Sequence, residues 1–317
     1  MHHKPILIIP GQLDSIFFEI FFKSLKKMKI VSPLILICSI KIFKENAKNF
    51  NFKGKFKLID SNFAKLKLNN SNVHIIDVKL KKNKIKFKFE NEYLSNCFDI
   101  AFSILKNRYT HKFLNGPINK ENFLNKKYLG VTEFISERFN KKNNGMLIYN
   151  KKLSVCPLTT HLPLKLVSKQ ISKKLIQDKL KLIDSFYLKN FKFKPRIAVT
   201  GLNPHCESIL SFNEDEIFIA PAIKLSKKNK ILVDGPFSAD TIFLKQNRKK
   251  YDVILGMYHD QVLTPLKTLF EYDAINITMG LPFLRVSPDH GPNEKMVGKN
   301  LSNPISLIKA LKFLDKN

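Results

Sequence analysis

Short apolar runs alternate along this chain with longer stretches in which apolar residues recur at helical spacing. Short runs bounded by turn residues indicate buried strands, whereas apolar positions three and four apart indicate amphipathic helices. This alternation predicts an α/β protein with a largely parallel sheet. The predicted strands cover residues 4–9, 34–39, 56–59, 73–78, 112–114, 196–200, 231–233, 253–257 and 274–278, and the predicted helices cover residues 14–27, 93–107, 163–190 and 304–314.

The charge of the chain is strongly positive, with a formal net charge of +29 over 317 residues. Clustered Lys and Arg bind nucleic-acid backbones, so a nucleic-acid binder is one alternative. However, only five of the 55 basic residues are Arg, which is favoured for bidentate phosphate contacts, and the lysines are scattered. The densest segment, residues 79–89, alternates apolar and basic positions and predicts a strand with one solvated face. We therefore expect attraction to anionic small molecules instead of specific nucleic-acid binding.

The cysteines and the apolar runs bear on the compartment. Four cysteines lie far apart with no CxxC pair, which favours reduced thiols over a disulfide framework or a zinc knuckle. No apolar run approaches the roughly 18 to 20 residues that a membrane span requires. The opening MHHKPILIIPG lacks the long apolar region of a secretory signal. We expect a cytoplasmic protein.

Three of the eight histidines share one sequence context. His161 follows LSVCPLTT, His205 follows RIAVTGLNP and His259 follows YDVILGMY, so each comes just after an apolar, strand-like run. Open α/β sheets bind ligands at the carboxyl ends of their strands, and the three side chains are therefore expected to converge. Three imidazoles suit zinc and similar ions and leave a coordination position for a substrate. The separations are too long for a local motif, so a hydrogen-bonded turn residue stays the alternative for each.

Further candidates lie near these turns. His290, in SPDHGP, is either a fourth participant or a loop residue. Asp260 follows His259 directly, and Asp240 lies in GPFSADT, where it either caps a helix or faces the site. Both carboxylates are candidates for supporting a ligand or for acid–base chemistry.

Three residues are candidates for binding an anion: Lys267, Asn276 and Arg285. Arg285 lies in the apolar segment MGLPFLRVS, where a buried guanidinium requires an anionic ligand or an internal carboxylate. The chain contains no GxGxxG, GxxxxGK[ST] or GxSxG motif. The sequence therefore gives no Rossmann fingerprint, P-loop or nucleophile elbow.

Several of these segments together resemble a known family. The segments NGPINKE, GVTEF, PLTTHLPLK, RIAVTGLNPH, GPFSADT, MYHDQVLTPLK and NITMGLPFLRVSPDHG, between residues 115 and 291, are similar in order and spacing to the 4-hydroxythreonine-4-phosphate dehydrogenases of vitamin B6 synthesis. The resemblance implies a two-lobed fold like that of isocitrate and isopropylmalate dehydrogenases, with a cleft between the lobes. We expect a first lobe of residues 1–128 with 290–317 and a second of residues 129–289, which carries most metal and substrate residues.

The resemblance also implies a cofactor, a metal and a set of site residues. It implies NAD as hydride acceptor, a divalent metal (Zn, Mg or Co), and a homodimer in which each site is completed by the neighbouring subunit. The family's metal ligands fall on His161, His205 and His259. Its substrate-binding positions fall on Thr132, Lys267, Asn276 and Arg285, and Asp240 matches a position near the metal. The catalytic set that we predict is His161, His205, His259, Lys267 and Asp240.

The chain departs from the family pattern at four places. Val131 replaces a His before Thr132, residues 12–17 replace a small Gly-rich turn, residues 206–210 replace a Gly-rich stretch, and Pro292 replaces a Thr. The first removes a polar partner for the substrate, and the second places bulky groups where backbone would approach a ligand. These departures bear on substrate preference and cofactor geometry.

The predicted reaction is oxidation of the secondary alcohol of 4-phosphohydroxy-L-threonine by NAD. Decarboxylation then gives 3-amino-2-oxopropyl phosphate, a step of pyridoxine phosphate synthesis. Two alternatives stay open. The chain is either a related dehydrogenase of a phosphorylated sugar acid, such as 4-phosphothreonate or 4-phosphoerythronate, or a catalytically degraded binding protein that retains the fold.

Overall fold

The computed structural model describes residues 3–62, 68–80, 86–119, 123, 128, 130–208 and 212–317, with residues 86–89 described as backbone only. The chain divides into two compact units, Met1–Val131 with Pro282–Asn317, and Thr132–Leu281. The sequence placed the second boundary after residue 289. Strand Leu284–Pro288 instead belongs to the first unit, where it pairs in parallel with Lys112–Asn115.

The elements have the following bounds. The strands are β1 (Ile6–Ile9), β2 (Leu34–Cys38), β3 (Lys55–Leu58), β4 (Asn72–Asp77), β5 (Lys112–Asn115), β6 (Gly145–Tyr149), β7 (Ser154–Pro157), β8 (Ile197–Thr200), β9 (Val233–Phe237), β10 (Val253–Gly256), β11 (Ile275–Met279) and β12 (Leu284–Pro288). The α-helices are α1 (Phe17–Lys27), α2 (Ile40–Asn49), α3 (Lys86–Lys106), α4 (Val131–Arg138), α5 (Val167–Gln170), α6 (Lys173–Phe191), α7 (Ala220–Lys228), α8 (Ala239–Ile242), α9 (Lys245–Arg248), α10 (His259–Phe270) and α11 (Ile305–Lys316). Short 3₁₀ turns cover Leu164–Leu166, Pro204–Cys206 and Glu294–Met296, and a π turn covers Asp215–Ile219.

The first unit is built on parallel strands in the order β3-β4-β2-β1-β5-β12. All residues of β1 and β2 are buried, as expected for strands covered by helices on both faces. Helix α1 buries a face of Phe residues at helical spacing, and these rings contact one another: Phe17 stacks on Phe21 and Phe18 on Phe22. Aromatic burial on this scale accounts for the position of the helix against the sheet.

The second unit has the strand order β11-β6-β7-β10-β8-β9. Strands β7, β10, β8 and β9 run parallel, whereas β6 pairs antiparallel with both β7 and β11. Helix α6 starts at Ser172, whose hydroxyl accepts a hydrogen bond from the Leu175 amide at 3.2 Å, as an N-cap serine does. Four parallel strands therefore end at one common edge of this sheet.

The sequence predicted the fold class correctly, with local errors. Residues 79–89 were predicted as a strand; residues 81–85 lie outside the described ranges, but from Lys86 onward the chain is helical, so that part of the prediction is wrong. The reason is that Leu94, Phe98 and Ala101 recur at helical spacing on the buried face, and the helix extends back to Lys86. Strands β6 and β12 and helices α2 and α10 were not predicted.

The helices and the cysteines were both subjects of prediction from the sequence. None of the helices in the described part of the chain is both long and apolar enough to cross a membrane. All four cysteines are free, and Cys38, Cys97 and Cys156 are buried. Burial raises the pKa of the Cys156 thiol to about 11, so it packs as a small apolar side chain.

Candidate active site

The carboxyl edge of the parallel strands in the second unit carries four of the residues that the sequence singled out. In the order β7-β10-β8-β9, the strands are followed by His161, His259, His205 and Asp240. Neighbouring strands lie roughly 4.8 Å apart, so strand ends from this set lie within side-chain reach of the next. The sheet topology therefore places all three histidines after strand ends on one edge, as the sequence predicted.

Two of the three histidines are adjacent. The ring centroids of His161 and His259 lie 5.8 Å apart, with the planes inclined by 38°. His161 has a φ of 54°, in the left-handed region that non-glycine residues seldom adopt. Such backbone costs on the order of 1–3 kcal/mol and is concentrated at ligand sites. His161 therefore lies in a turn whose backbone is strained.

His259 is the first residue of α10, and its Nδ1 lies 2.7 Å from Asp260 Oδ1. A carboxylate on one ring nitrogen fixes the tautomer and leaves the other nitrogen, Nε2, as an electron-pair donor. Asp260 therefore supports His259 in the way that outer carboxylates support metal-binding imidazoles.

His205 lies in the 3₁₀ turn after β8 and also has a positive φ, of 56°. The buried carboxylate of Asp215 fixes the start of this loop. It accepts hydrogen bonds from the backbone amides of Leu202 at 2.9 Å and Asn203 at 3.0 Å. Gly201 is required at the start of this loop, because a Cβ there would lie 2.5 Å from Asp215 Oδ1. Asp215 could not be recognised from the sequence, since only the fold brings it into contact with the loop.

Asp240 follows β9, next to the strand that leads to His205. It is not the cap of α8: Ser238 occupies that position, and its hydroxyl donates to Asp240 Oδ1 at 2.6 Å. This hydrogen bond lowers the pKa of the exposed Asp240 carboxyl, and the nearby His205 side chain also contributes to lowering it. The N-cap position thus belongs to Ser238, and Asp240 lies near His205 in the first turn of α8.

Two further side chains join these loops and were missed from the sequence. Thr159 Oγ1 donates to the Met257 carbonyl at 2.8 Å. Gln261 Oε1 accepts from the Met257 amide at 2.7 Å, and Gln261 Nε2 donates to the Gly201 carbonyl at 2.8 Å. Nothing in the sequence indicated either residue, because their partners are backbone groups of neighbouring loops.

The candidate substrate residues of this unit lie in two places. Thr132, in α4, has its hydroxyl 3.4 Å from that of Thr278 in β11. Asn276 lies two residues earlier on the same strand and so on the same face, and its Oδ1 is buried with no hydrogen-bond partner. Lys267 lies further along α10, separated from His259 by about 12 Å of helix. The structure thus brings Thr132 to the strand of Asn276, whereas Lys267 lies on the helix that starts at His259.

Glu133 extends this group toward the histidines. Its Oε1 lies 3.4 Å from the hydroxyl of Thr160, the residue before His161. Its Oε2 is buried with no hydrogen-bond partner. A buried acceptor without a donor calls for an explanation, and a donor group on a ligand supplies one.

Arg285 belongs to the first unit and is 3% exposed. Its Nε donates to Asn115 Oδ1 at 2.8 Å, at the carboxyl end of β5. The hydrogen-bond partner of Arg285 Nε is therefore a side-chain amide. An internal carboxylate was the partner considered from the sequence. An amide on this nitrogen holds the guanidinium in place at the carboxyl end of β5.

Two departures from the family pattern meet in the first unit. Gln12 Nε2 donates to Glu294 Oε1 at 2.8 Å, and the Ile16 amide donates to the Pro292 carbonyl at 3.2 Å. The altered turn after β1 therefore contacts the altered turn after β12. Val131 is the half-buried first residue of α4, and residues 209 and 210 of the third departure lie outside the described residues.

The three imidazoles are ligands of the type that a divalent cation such as zinc accepts. His161 and His259 are adjacent, and His205 follows a neighbouring strand. Over the described residues, no group of three or more His, Cys, Asp or Glu side chains is placed to hold a metal ion. The complete triad of His161, His205 and His259 therefore stays a prediction, with two of its members brought together.

Comparison with known proteins places this arrangement in a class. The fold is that of the α/β proteins that include isocitrate dehydrogenase: the structure of the enzyme from Methylococcus capsulatus gives a TM-score of 0.50 at 12% identity, covering 98% of this chain and 84% of that one. The chain belongs to the PdxA family, described as "Pyridoxal phosphate biosynthetic protein PdxA", which it matches over residues 29–314.

The individual relatives are dehydrogenases, so the chain belongs to a family of oxidoreductases. A 4-hydroxythreonine-4-phosphate dehydrogenase of Sulfurihydrogenibium sp. is 34% identical, over 97% of this chain and 96% of that protein. A D-threonate 4-phosphate dehydrogenase of Salmonella typhimurium is 31% identical over 92% of each. The crystal structure of 4-hydroxythreonine-4-phosphate dehydrogenase from Klebsiella pneumoniae gives a TM-score of 0.82 at 25% identity, covering 98% of both chains.

Proposed function

We propose that this protein oxidises the secondary alcohol of 4-phosphohydroxy-L-threonine. The hydride goes from the alcohol carbon to NAD, and the hydroxyl proton goes to solvent. The bond from the neighbouring carbon to the carboxylate then breaks and releases CO₂, and that carbon takes up a proton from solvent to give 3-amino-2-oxopropyl phosphate. The observation that carries the proposal is the placement of three histidines after adjacent parallel strands in a chain of the PdxA family.

His161, His205 and His259 would hold a divalent cation such as Zn, Mg or Co. When bound, a cation in such a site polarises the substrate hydroxyl and lowers its pKa. Asp260 orients the His259 ring, and Asp240 lies by His205 as a carboxylate that can take part in proton movement. Asp260 and Asp240 would thus set the orientation of the His259 ring and the path of the proton.

Substrate recognition is assigned to Thr132, Lys267, Asn276 and Arg285. Thr132 and the unpartnered Asn276 Oδ1 offer a hydroxyl and an acceptor on one face of β11. Arg285 offers a buried guanidinium whose fork of N–H donors suits a phosphate or carboxylate. Lys267 supplies a second cation for an anionic end.

Two features favour the amino acid over a phosphorylated sugar acid. Glu133 Oε2 and Asn276 Oδ1 are both acceptors, and both are buried without a partner. An ammonium group provides the donors that they lack, whereas a hydroxyl in its place provides only one. The relative that acts on D-threonate 4-phosphate and the loss of a polar group at Val131 support the competing substrate.

We also propose a cytoplasmic homodimer. Leu164 is 69% exposed and Leu166 is 36% exposed, in the segment directly after His161. Apolar groups exposed beside a site are expected to be covered by a partner, and a second copy of this chain is the proposed one. Four free cysteines are consistent with a reducing compartment.

The test is an NADH assay of the purified protein with 4-phosphohydroxythreonine and with 4-phosphothreonate, before and after a chelator. The expected result is NADH formation with the first substrate, loss of activity on chelation, and recovery on adding a divalent cation. His259→Ala should abolish turnover, whereas His111→Ala, at an exposed residue of the first unit, should not. Preference for phosphothreonate would establish the alternative enzyme. No NADH with these two substrates or with 4-phosphoerythronate would support a degraded binding protein.

A further inference from the structure

Gln261 occupies the gap where the ladder between two parallel strands ends. The pairing of β10 with β8 runs up to Leu255 and Val199. Just beyond that pair, Gln261 Oε1 accepts hydrogen bonds from the Met257 amide at 2.7 Å and the Thr200 hydroxyl at 2.8 Å. Its Nε2 donates to the Gly201 carbonyl at 2.8 Å. One side-chain amide therefore bonds to the ends of both strands.

The two strand ends lead directly to metal-ligand candidates. Met257 precedes His259 by two residues, and Gly201 begins the loop that carries His205. Gln261 itself lies in the first turn of α10, the helix that starts at His259. The third loop is joined by Thr159, whose hydroxyl donates to the Met257 carbonyl at 2.8 Å.

The packing leaves the amide little freedom. A Cβ at Gly256 would lie 3.0 Å from Gln261 Oε1 and 2.3 Å from Val262 Cγ1, so the helix approaches the strand end closely. Removing the amide would leave the Met257 amide and the Gly201 carbonyl to find other partners. Unsatisfied backbone groups are costly when buried, so the loops are expected to shift.

We infer that Gln261 is a positioning residue, whose side-chain amide sets the relative placement of the loops carrying His205 and His259. This inference rests on the proposed metal-binding role of those histidines. Gln261 is assigned no contact with the cation and none with the substrate. It acts on the cation only through the two loops, in the way that outer groups tune metal affinity.

The test is a Co²⁺ titration of the metal-free, full-length protein without substrate, followed by the visible spectrum of bound Co²⁺ and by competition with a chelator. Gln261→Met keeps the volume and removes all three hydrogen bonds. It should weaken Co²⁺ binding by about 10- to 100-fold and change the spectrum. Gln246→Met, at an exposed glutamine of α9, should match the wild type. Thermal denaturation of each metal-free variant reports whether it is folded.

Each outcome decides the inference. Wild-type affinity and spectrum in a folded Gln261→Met variant would overturn it. If that variant does not fold, Thr200→Val, which removes a single bond to Gln261, should still weaken Co²⁺ binding several-fold, and an unchanged affinity there would overturn it. Wild-type protein that binds no Co²⁺ would overturn the proposed metal centre itself, which separates that failure from a failure of the role of Gln261.

Discussion

The imidazole rings of His161 and His259 lie 5.8 Å apart between centroids, although their residues are far apart in sequence. Each ring follows the carboxyl end of one of two parallel strands, β7 and β10, that pair directly. The backbone continues this pairing beyond the strands, since the Leu158 amide donates to the Gly256 carbonyl at 2.7 Å. The adjacency of the two rings is therefore a consequence of strand register.

The first prediction concerns Asp260. Asp260→Asn keeps the shape of the side chain but removes the negative charge next to His259 Nδ1. We expect Co²⁺ affinity to fall by about tenfold, because the ring loses the partner that fixes its tautomer and raises its basicity. Isothermal titration with Co²⁺ measures this. Asp178→Asn, in an exposed pair with Lys174, is the control, and equal affinities of the two variants would contradict the role of Asp260.

The second prediction concerns Gly201. In Gly201→Ala the new Cβ would lie 2.5 Å from Asp215 Oδ1 and 2.6 Å from Cys206 Sγ. We expect a loss of about 1–3 kcal/mol in the free energy of unfolding together with weaker Co²⁺ binding, because the His205 loop must move off Asp215. Urea denaturation and the Co²⁺ titration measure the two effects. Gly291→Ala, where a Cβ would meet nothing within 4 Å, should change neither.

The third prediction compares two arginines. Arg285→Met leaves the buried Asn115 Oδ1 without its Nε donor, which should cost about 1–3 kcal/mol in the free energy of unfolding. It should also raise KM for the phosphorylated substrate. Arg196→Met removes a largely exposed pair with Asp252 and should cost about 0–1 kcal/mol with KM unchanged. An unchanged KM in Arg285→Met would remove Arg285 from substrate binding.

The fourth prediction concerns the pH dependence of stability. Burial lowers the pKa of His74 on β4 below its ordinary value of 6.5. As the pH falls through about 6.5, the unfolded chain takes up the proton before the folded one, so stability is lost toward acid and regained toward neutral pH. Urea denaturation from pH 5 to 8 should show this slope, and His74→Gln should reduce it. The same slope in His74→Gln and in the exposed-site variant His111→Gln would contradict the assignment.

The sequence determined the class of fold and the candidates for chemistry, because both depend on local patterns. Apolar runs such as that of β1 are buried on both faces and can be recognised without any partner strand. The positions of His161, His205 and His259 after such runs likewise follow from the one-dimensional pattern. The family resemblance rests on segments whose order is also a property of the sequence.

Tertiary structure decided the rest, because neighbours in space are not neighbours in sequence. Strand order placed β10 between β7 and β8, and this alone brings His259 beside His161. Asp215 and Gln261 could not be singled out from the sequence, since their partners, backbone groups of the His205 and His259 loops, are defined only once the strands have paired. Local periodicity encodes the elements, whereas hydrogen bonds between distant backbone groups fix the geometry of the site.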